Sequence, residues 1–481
     1  MFQNNKIFIL GFARSGYEAA KFLIKRGNDV LINDGKEESK VDQEKLKELK
    51  DLGVKFFFGS HPDDLLDESF DYLIKNPGVP IHHKYVKKAE ELGIEVINEV
   101  EMAYRLLPSD VTLIGITGTN GKTTTTTLTY EIIKKAGFRC HLAGNIGYPL
   151  CSFLDKLQKD DVIVMETSCQ QLNNLREFKP HIAVMTNLSE AHVDFFDNSY
   201  QKYKDVKTKI FKNQTIDDIA ILNLENEEVL KQTKDIKSKK LYFSSKKKTD
   251  CYLENGNIYY DNELVVETDK MIIVGTHNAE NVMAAILVSK ELGISNDIIK
   301  DVVYNFKGVE HRLEYCGEIN GAKCYNDTEA TNIKCTQIAL SSFNKPTIII
   351  LGGLERGQNF DDLKDYMTNV KAIIAIGSCR NRVEEFANNL NIKVYTHEFL
   401  KDSFDDIKAL AKEGDVVLLS PASASWDQYK ECEVRGKEFK DMVKKLCGCK
   451  WCDTKFIKKF KQYDTINLLL LSIVFKVLLN C

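Results

Sequence analysis

The chain has 481 residues, of which 43% are hydrophobic and 28% are charged, and its formal net charge is −4. This length is enough for about three domains, and the composition is ordinary for a soluble globular enzyme. The slightly acidic balance offers no basic face for nucleic acid, and the thirteen cysteines lack disulfide-framework spacing over most of the chain. Because the N-terminus also has no apolar signal region, the sequence predicts a protein of the reducing cytoplasm.

The first block, residues 1–107, begins with a pattern that predicts strand, glycine turn, helix and strand. Residues 6–10 form the first apolar run, residues 11–16 the turn, and residues 30–34 the second strand, which ends in an acidic residue. Such a βαβ unit is typical of a dinucleotide-binding fold. Ala13 replaces the middle glycine that allows close approach of a pyrophosphate, so the pattern favours a more loosely bound nucleotide diphosphate over NAD.

The second block, residues 108–308, contains the most informative stretch of the chain. Residues 117–124, Thr-Gly-Thr-Asn-Gly-Lys-Thr-Thr, follow an apolar strand and open a helix. A glycine-rich turn at this place directs backbone N–H groups to one point, where the helix dipole adds positive potential. Lys122 can then reach the β- and γ-phosphates of a nucleotide, and the Thr123 hydroxyl its Mg²⁺, although Ile116 stands where a strict P-loop has glycine. The alternative is a glycine turn with a surface lysine.

Two further strands of this block end in polar side chains. Glu166 follows the strand at 161–165, and Asn187 and then His192 follow the strand at 181–186. Ligands of open α/β sheets lie at the carboxyl ends of the strands. A carboxylate and an imidazole at neighbouring strand ends suit Mg²⁺ held by few protein ligands and by phosphates. Alternatively, each is a loop residue with a local hydrogen bond.

The third block, residues 309–446, repeats the alternation of strands and helices. Its strands at 347–351, 372–376 and 416–419 each end in a turn of small or polar residues. This pattern predicts another parallel sheet with a ligand edge suited to a small polar substrate. Alternatively, the serine-rich turn at 420–425 simply caps the next helix.

The extension at 447–481 does not continue this alternation. Cys447, Cys449 and Cys452 offer three thiols without an obvious fourth ligand, which falls short of a structural zinc site. The apolar stretch at 466–479 is too short to span a bilayer, and the lysines before it would suit an interfacial helix. A loosely attached or non-native extension of unknown role is the simpler interpretation.

Taken together, these motifs resemble those of the Mur ligases, ATP-dependent ligases of cytoplasmic peptidoglycan precursor synthesis. The segments that carry the resemblance keep the order of the family: 117–124, Asn145, Glu166, His192, 308–314, 326–332 and 420–425. The resemblance implies an α/β fold with three domains. They are a Rossmann-like UDP-binding domain at 1–107, a central P-loop ATPase domain at 108–308 and a Rossmann-like amino-acid-binding domain at 309–446.

The resemblance also implies a reaction. The free carboxylate of UDP-N-acetylmuramoyl-L-alanine attacks the γ-phosphate of ATP to give an acyl phosphate, and the amine of D-glutamate then displaces phosphate. The implied cofactors are ATP and two Mg²⁺ ions, with Mn²⁺ as an alternative metal. The implied enzyme is a monomer that binds no nucleic acid and does not insert stably into a membrane. Another Mur ligase or a folylpolyglutamate synthase would share the ATP machinery, although the latter would not be expected to open with a nucleotide-binding βαβ block.

Matching family positions assign roles to single residues. The implied catalytic residues are Lys122, His192 and Lys207. The implied metal ligands are Thr123, Glu166, His192 and Lys207, the last as a carbamate. ATP would contact Gly118, Thr119, Asn120, Gly121, Lys122, Thr123, Thr124, Asn278, Asn281, Arg312 and Asp327. The UDP-muramoyl substrate would contact Gly11, Ser15, Asp34, Asn76, Gly78 and Asn145. D-Glutamate would contact Thr331, Arg356 and Ser425, of which the arginine can pair bidentately with a carboxylate.

From the residues alone, Lys207 is one of many helical lysines, and exposure to solvent is the simpler interpretation; carbamylation would make it an anionic oxygen ligand, which Mg²⁺ prefers. Glu329 departs from the family segment, which has lysine there. A carboxylate beside an anionic amino acid is unfavourable unless it is paired or turned away, so Glu329 bears on the choice of amino acid.

Three other classes fit the sequence less well. A GTPase-type switch needs an Asn-Lys-x-Asp motif, and residues 344–347, Asn-Lys-Pro-Thr, lack the aspartate. A nicotinamide dehydrogenase would need the missing middle glycine and has no use for Lys122. A non-catalytic nucleotide-binding scaffold is distinguished from an enzyme only by an assay.

Overall fold

Residues 1–191 and 193–446 are described by a computed structural model, which contains three β-sheets with flanking helices. This arrangement confirms the three-domain α/β architecture. By its internal contacts the chain divides into two units, Met1–Val309 and the part that begins at Glu310. The first two sheets therefore belong to one unit and the third sheet to the other.

The first sheet is entirely parallel and is formed within the first 97 residues. Its strands are β1 (Lys6–Leu10), β2 (Asp29–Asp34), β3 (Lys55–Phe58), β4 (Tyr72–Lys75) and β5 (Glu95–Ile97). They lie in the order β3-β2-β1-β4-β5. The helices of this region are α1 (Arg14–Ile24), α2 (Gln43–Asp51), α3 (Lys84–Glu91) and α4 (Glu99–Tyr104). The central strand β1 lies where the apolar run predicts it. It is apolar because a strand with a neighbour on each side is buried along most of its length.

The second sheet has nine strands and holds the predicted phosphate loop. Its strands are β6 (Thr112–Thr117), β7 (Cys140–Gly144), β8 (Val162–Glu166), β9 (Ile182–Met185), β10 (Ile219–Asn223), β11 (Lys239–Ser244), β12 (Cys251–Glu254), β13 (Asn257–Tyr260) and β14 (Glu263–Glu267). Their order is β14-β13-β12-β11-β10-β9-β6-β8-β7. The predicted strands that end at Glu166 and before Asn187 are not neighbours, since β6 lies between β8 and β9. They flank the strand that leads into the phosphate loop.

Six helices accompany the second sheet. They are α5 (Lys122–Lys135), α6 (Cys169–Asn173), α7 (Tyr200–Thr208), α8 (Glu227–Gln232), α9 (Thr276–Glu291) and α10 (Asn296–Asn305). Helix α9 is buried on nearly all sides, which a helix of mostly small and aliphatic residues tolerates. It packs against α5, the helix that begins at the phosphate loop.

The third sheet is mixed, with one antiparallel edge strand. Its strands are β15 (Glu314–Ile319), β16 (Ala322–Asn326), β17 (Thr347–Gly352), β18 (Val370–Ile376), β19 (Lys393–Thr396) and β20 (Val416–Leu419). Their order is β15-β16-β20-β17-β18-β19. The helices are α11 (Ile333–Ser341), α12 (Arg380–Asn389), α13 (Phe404–Leu410) and α14 (Cys432–Leu446). Because β20, β17 and β18 are adjacent and parallel, their carboxyl ends meet at one edge, as predicted.

Short 3₁₀ segments complete the described secondary structure. They are Glu38–Lys40, Asp63–Leu65, Leu150–Lys156, Val193–Phe196, Lys209–Phe211, Thr268–Lys270, Phe360–Tyr366 and Leu400–Ser403. In the described part of the chain, no helix combines the length and apolar character needed to cross a bilayer. The predicted features of the extension, its three thiols and its apolar stretch, lie outside the described residues.

Helix α4 joins the first two sheets into one unit. Its buried Glu101 side chain accepts hydrogen bonds from the backbone N–H groups of Arg176, Glu177 and Phe178, at 2.8–3.2 Å. Its apolar residues Val100 and Met102 belong to a core that continues into both sheets. Fully burying one such side chain stabilises the fold by roughly 1.5–3 kcal/mol.

Candidate functional site

The turn between β6 and α5 has the backbone that a phosphate loop requires. Gly121 has φ +78° and Gly118 has φ +147°, conformations that side-chain-bearing residues rarely adopt. A Cβ at Gly118 would lie 1.9 Å from Thr186 Oγ1, and one at Gly121 would lie 2.3 Å from Asn281 Oδ1. Both glycines are therefore needed for close packing as well as for the turn itself.

The end of strand β9 holds the loop in shape. Asn187 accepts hydrogen bonds from Thr119 N through its carbonyl and from Asn120 N through Oδ1, both at 2.9 Å. Its amide donates to Asn120 O at 3.1 Å, and Thr186 Oγ1 donates to the same carbonyl at 2.6 Å. Lys122 folds back over the loop and donates to Thr119 O at 2.8 Å. These hydrogen bonds fix the shape of the loop in advance and hold the Lys122 ammonium group beside it.

Lys207 is buried beneath this loop, so the interpretation of it as a solvent-exposed helical lysine is wrong. Its side chain lies on α7, only 1% of the residue is exposed, and Nζ donates to Gly118 O at 2.6 Å and Thr117 Oγ1 at 3.2 Å. Burial, and after it the nearby Lys122 ammonium, lowers the pKa of Lys207 from 10.5 to about 7. A large fraction of this amine is therefore neutral, and hence nucleophilic, near neutral pH.

Glu166 lies at the end of β8, on the other side of β6. Its Oε1 accepts a hydrogen bond from Asn145 Nδ2 at 2.7 Å, whereas its buried Oε2 has no hydrogen-bond partner among the described residues. A buried carboxylate oxygen without a partner is costly, and a bound cation would satisfy it. Mg²⁺ prefers oxygen ligands of this kind, and the predicted ligand Thr123 lies at the start of α5. His192 lies outside the described residues, so its place in a magnesium site stays a prediction.

Asn278 and Asn281 lie on the first turns of α9, close to the phosphate loop. Asn281 Oδ1 accepts from Thr125 Oγ1 at 3.3 Å, and its Nδ2 donates to Asn278 Oδ1 at 3.2 Å. Asn278 Nδ2 donates in turn to Val274 O at 2.8 Å. The structure thus brings these two predicted ATP contacts to the loop, although they are more than 150 residues from it in sequence.

The glycine turn after β1 is closed by side chains from the two neighbouring strands. Gly11 has φ +101°, and Asn76 bonds both ends of the turn: Oδ1 accepts from Gly16 N at 3.1 Å and Nδ2 donates to Gly11 O. Asp34 Oδ2 accepts from Phe12 N at 2.7 Å. Three predicted substrate contacts, Gly11, Asp34 and Asn76, therefore lie together at the carboxyl edge of the first sheet.

Ser15 and Gly78 border the same edge. Ser15 is half-buried near the start of α1, and Gly78 is exposed in the turn after β4. Sequence reasoning missed the buried Lys75, whose Nζ donates to Val79 O at 2.8 Å and so anchors that turn. Burial lowers the pKa of Lys75 to about 8. A charged residue at the end of an otherwise apolar strand was the available signal.

Arg14 links the first sheet to the end of β7 in the second sheet, and sequence reasoning missed it as well. Its guanidinium donates at 3.0–3.1 Å to the carbonyl oxygens of Gly144, Asn145 and Gly147. Asn145 is the residue whose amide bonds Glu166. An exposed arginine at the first position of a helix has no sequence signal for such a contact.

In the third-sheet unit, Asp327 and Arg312 are both engaged with other residues. The buried Asp327 carboxylate accepts from Ser420 Oγ at 2.8 Å and Leu313 N at 3.2 Å, and burial raises its pKa to about 7. Arg312 pairs with Glu329 at 3.3 Å. The Glu329 carboxylate is therefore paired, which is one of the two conditions, being paired or being turned away, under which it is tolerated beside an anionic substrate.

The carboxyl edge of the third sheet collects the residues predicted to bind the amino acid. The Arg356 guanidinium lies 4.6 Å from the centroid of the exposed Trp426 ring, a cation–π distance. Ser425 is buried, and its Oγ has no hydrogen-bond partner among the described residues. Thr331 is exposed. An exposed guanidinium and an unsatisfied buried hydroxyl suit a small anionic ligand.

The turns at this edge bond to one another. Leu354 N donates to Ala424 O at 2.8 Å, and Gln358 Nε2 donates to Ser423 Oγ at 2.6 Å. Helix α14 begins only at Cys432, so the alternative that the serine-rich turn caps the next helix is wrong. The turn instead forms part of the edge.

Known proteins resemble this chain along most of its length. Family models match at residues 5–98 (Mur ligase MurD-like, N-terminal domain), 116–289 (Mur ligase middle domain) and 311–423 (Mur ligase, glutamate ligase domain). A protein of Enterococcus hirae named UDP-N-acetylmuramoylalanine–D-glutamate ligase is 44% identical over 451 residues, which is 92% of this chain and 97% of the relative. A protein of the same name from Lactococcus lactis subsp. cremoris (strain MG1363) is 44% identical over 92% of this chain and 98% of its own.

Solved structures agree at the level of the fold. The UDP-N-acetylmuramate-alanine ligase MurC of Thermotoga maritima aligns with a TM-score of 0.55 and 18% identity, over 92% of this chain and 99% of its own. The MurF ligase of the same organism, solved with ADP, has a TM-score of 0.56 and 16% identity, over 92% and 95% of the two chains. The domain models and the close relatives together establish that the chain belongs to the Mur ligase family.

Proposed function

We propose that this chain is an ATP-dependent ligase that joins D-glutamate to UDP-N-acetylmuramoyl-L-alanine in peptidoglycan precursor synthesis. Its relatives at 42–44% identity carry the name of that ligase. The observation that carries the proposal is the arrangement under the phosphate loop. There a buried amine of lowered pKa, Lys207, and a buried carboxylate oxygen without a partner, on Glu166, lie beside a loop that holds Lys122.

The first step is attack by the substrate carboxylate on the γ-phosphorus of ATP, with ADP leaving. Both reactants are anionic, so the step needs positive charge placed in advance where negative charge accumulates. On this chain, the Lys122 ammonium and those loop N–H groups that do not donate to Asn187 supply it. Bound Mg²⁺ would neutralise further charge on the triphosphate. Its proposed ligands are Thr123, Glu166, His192 and Lys207 as a carbamate.

The second step uses the leaving group made in the first. A carboxylate is a poor electrophile, whereas an acyl phosphate carries phosphate as a good leaving group. The D-glutamate amine attacks the carbonyl carbon, a proton leaves the nitrogen, and the tetrahedral intermediate expels phosphate to give the amide. The exposed Arg356 and the buried Ser425 hydroxyl are proposed to hold the amino acid, with Thr331 as a third contact.

The remaining assignments are proposals of the same kind. The turn built by Gly11, Asp34 and Asn76 supports a UDP site, with Ser15 and Gly78 at its border. Asn145 would contact the muramoyl group. The ATP contacts outside the loop would be Asn278, Asn281, Arg312 and Asp327. The domain boundaries near residues 107 and 308, the monomeric state and the cytoplasmic location stay predictions.

The proposed function is tested by measuring phosphate release from ATP in the presence of UDP-N-acetylmuramoyl-L-alanine and Mg²⁺. We expect D-glutamate to stimulate release, and L-glutamate and D-lysine not to, with EDTA abolishing the reaction. Lack of stimulation by any amino acid would remove the ligase assignment. Stimulation by D-lysine instead would implicate Glu329. In a separate Glu329→Lys variant the preference for D-glutamate should persist, because Arg312 already pairs with the Glu329 carboxylate in the wild type.

A further inference from the structure

Arg435 is among the largest fully buried side chains of the described chain. It lies near the start of α14 and is 1% exposed. Nε donates to Thr328 Oγ1 at 3.0 Å, and Nη2 donates to the carbonyl oxygens of Thr328 and Ser423 at 3.1 Å. Nη1 donates to Gly352 O at 3.4 Å. One guanidinium thus ties together three turns at the carboxyl edge of the third sheet.

All of these acceptors are neutral. Among the described residues, no carboxylate forms an ion pair with Arg435, and the Asp427 carboxylate accepts instead from Ser378 N at 2.9 Å. A buried charge without a counter-charge is costly to fold. Burial lowers the pKa of Arg435 to about 10, so the guanidinium still carries its proton at neutral pH. The edge of the sheet therefore holds a positive charge that no described carboxylate pairs with directly, although the nearby Asp427 carboxylate acts to raise the pKa of Arg435.

The peptide units of these turns place N–H groups, which carry partial positive charge, on the side away from Arg435. In a trans peptide unit the C=O and the following N–H point in opposite directions, and no cis peptide occurs among the described residues. Because the carbonyls of Gly352 and Ser423 point at the guanidinium, the N–H groups of Gly353 and Ala424 point away from it. The packing is close: a Cβ at Gly353 would lie 3.0 Å from Arg435 Nη1 and 2.3 Å from Ala424 O.

We propose that Arg435 is a positioning and specificity residue of the amino-acid site, whose buried positive charge favours a dianionic amino acid over one with a neutral side chain. Arg356 and Ser425 are the direct contacts, and Arg435 acts through the turns that carry or neighbour them. The inference rests on the proposed function. It adds the reason why a second carboxylate is preferred.

The test compares initial rates of phosphate release for the wild type, Arg435→Lys and Arg435→Gln. The lysine variant keeps the positive charge, and the glutamine variant removes it with a side chain of about the size of lysine. We expect Arg435→Gln to raise the KM for D-glutamate by at least about tenfold. The KM values for ATP and for UDP-N-acetylmuramoyl-L-alanine should change by less than about twofold, and Arg435→Lys should raise the D-glutamate KM by less than about threefold. The preference for D-glutamate over D-glutamine should fall only in Arg435→Gln.

Equal KM values for the lysine and glutamine variants, or an unchanged preference in the glutamine variant, would mean that Arg435 only packs α14. If Arg435→Gln does not fold, Cys379→Asp and Cys379→Asn decide the question. Cys379 is buried beside Ser423, and an aspartate there would place a buried negative charge near the Arg435 guanidinium. The aspartate variant should show the higher D-glutamate KM, and equal values would overturn the proposal. A wild type that D-glutamate does not stimulate contradicts the proposed function instead, which keeps the two failures apart.

Discussion

Replacing Lys122 with alanine is expected to lower the rate of D-glutamate-dependent phosphate release by at least about 100-fold. In the structure, the Lys122 ammonium lies at the phosphate loop and donates to Thr119 O at 2.8 Å. Its removal would leave the charge on the transferred phosphoryl group without the stabilisation that this cation is proposed to give. The measurement is the steady-state rate at saturating substrates, with a thermal unfolding curve to show that the variant folds.

Lys135→Ala is the matched control for this variant. Lys135 is the last residue of α5, is exposed, and pairs with Asp301 at 2.6 Å. A pair at the surface contributes about 0–1 kcal/mol, so both rate and stability should stay near the wild type. If Lys122→Ala keeps more than about half of the wild-type rate, the phosphate loop does not work as described.

Replacing Lys207 with alanine is expected to abolish turnover. The proposed carbamate forms when the neutral amine adds CO₂ and loses a proton, so that a cation becomes an anionic oxygen ligand. Burial lowers the pKa of Lys207 to about 7, so the neutral fraction rises as the pH passes upward through 7. Carbamylation should therefore decrease as the pH falls below 7. ¹³C NMR of the enzyme equilibrated with ¹³C-bicarbonate should show a carbamate resonance that Lys207→Ala lacks.

Lys202→Ala controls for loss of a lysine from the same helix. Lys202 is exposed on α7 and pairs with Asp197 at 2.6 Å, so its removal should change neither the rate nor the resonance. Full activity of Lys207→Ala would show that the carbamate has no role. Rescue of that variant by bicarbonate alone would contradict the account too, because alanine has no amine to modify.

Local signals made the phosphate loop predictable. A strand, a glycine turn and a helix start are encoded within a few residues, and β6 and α5 lie where the pattern indicates. The burial of Lys207 could not be predicted in this way. It depends on how α7 packs under a loop about 90 residues earlier in the chain, and a lysine on a helix is usually solvated.

Three hairpins were missed, of which β13–β14 turns at Asp261-Asn262 and the other two carry an Asn-Gly signal. Asn255-Gly256 joins β12 to β13, and Asn320-Gly321 joins β15 to β16. All four residues have positive φ, which is what a two-residue hairpin turn of this kind requires. The alternation of strands and helices in the sequence indicates parallel sheets and therefore gives no indication of these antiparallel edges.

Arg435 shows a different limit. Long charged side chains are almost always exposed, so an arginine in an amphipathic helix gives no indication of burial. The neighbouring Gly436 was the available signal, because glycine inside a helix often marks a close approach. A Cβ there would lie 2.4 Å from His311 Nδ1. Glycine at this position therefore allows α14 to lie close to His311 and Thr328, next to the buried Arg435.

In the proposed reaction, a carboxylate of the substrate is activated by phosphorylation at the loop holding Lys122. The most direct measurement uses UDP-N-acetylmuramoyl-L-alanine with both carboxylate oxygens labelled with ¹⁸O. The released phosphate is analysed by mass spectrometry. Because the oxygen that attacks phosphorus leaves with it, each phosphate should contain one ¹⁸O atom. Unlabelled phosphate, released in step with amide formation, would contradict the acyl-phosphate route.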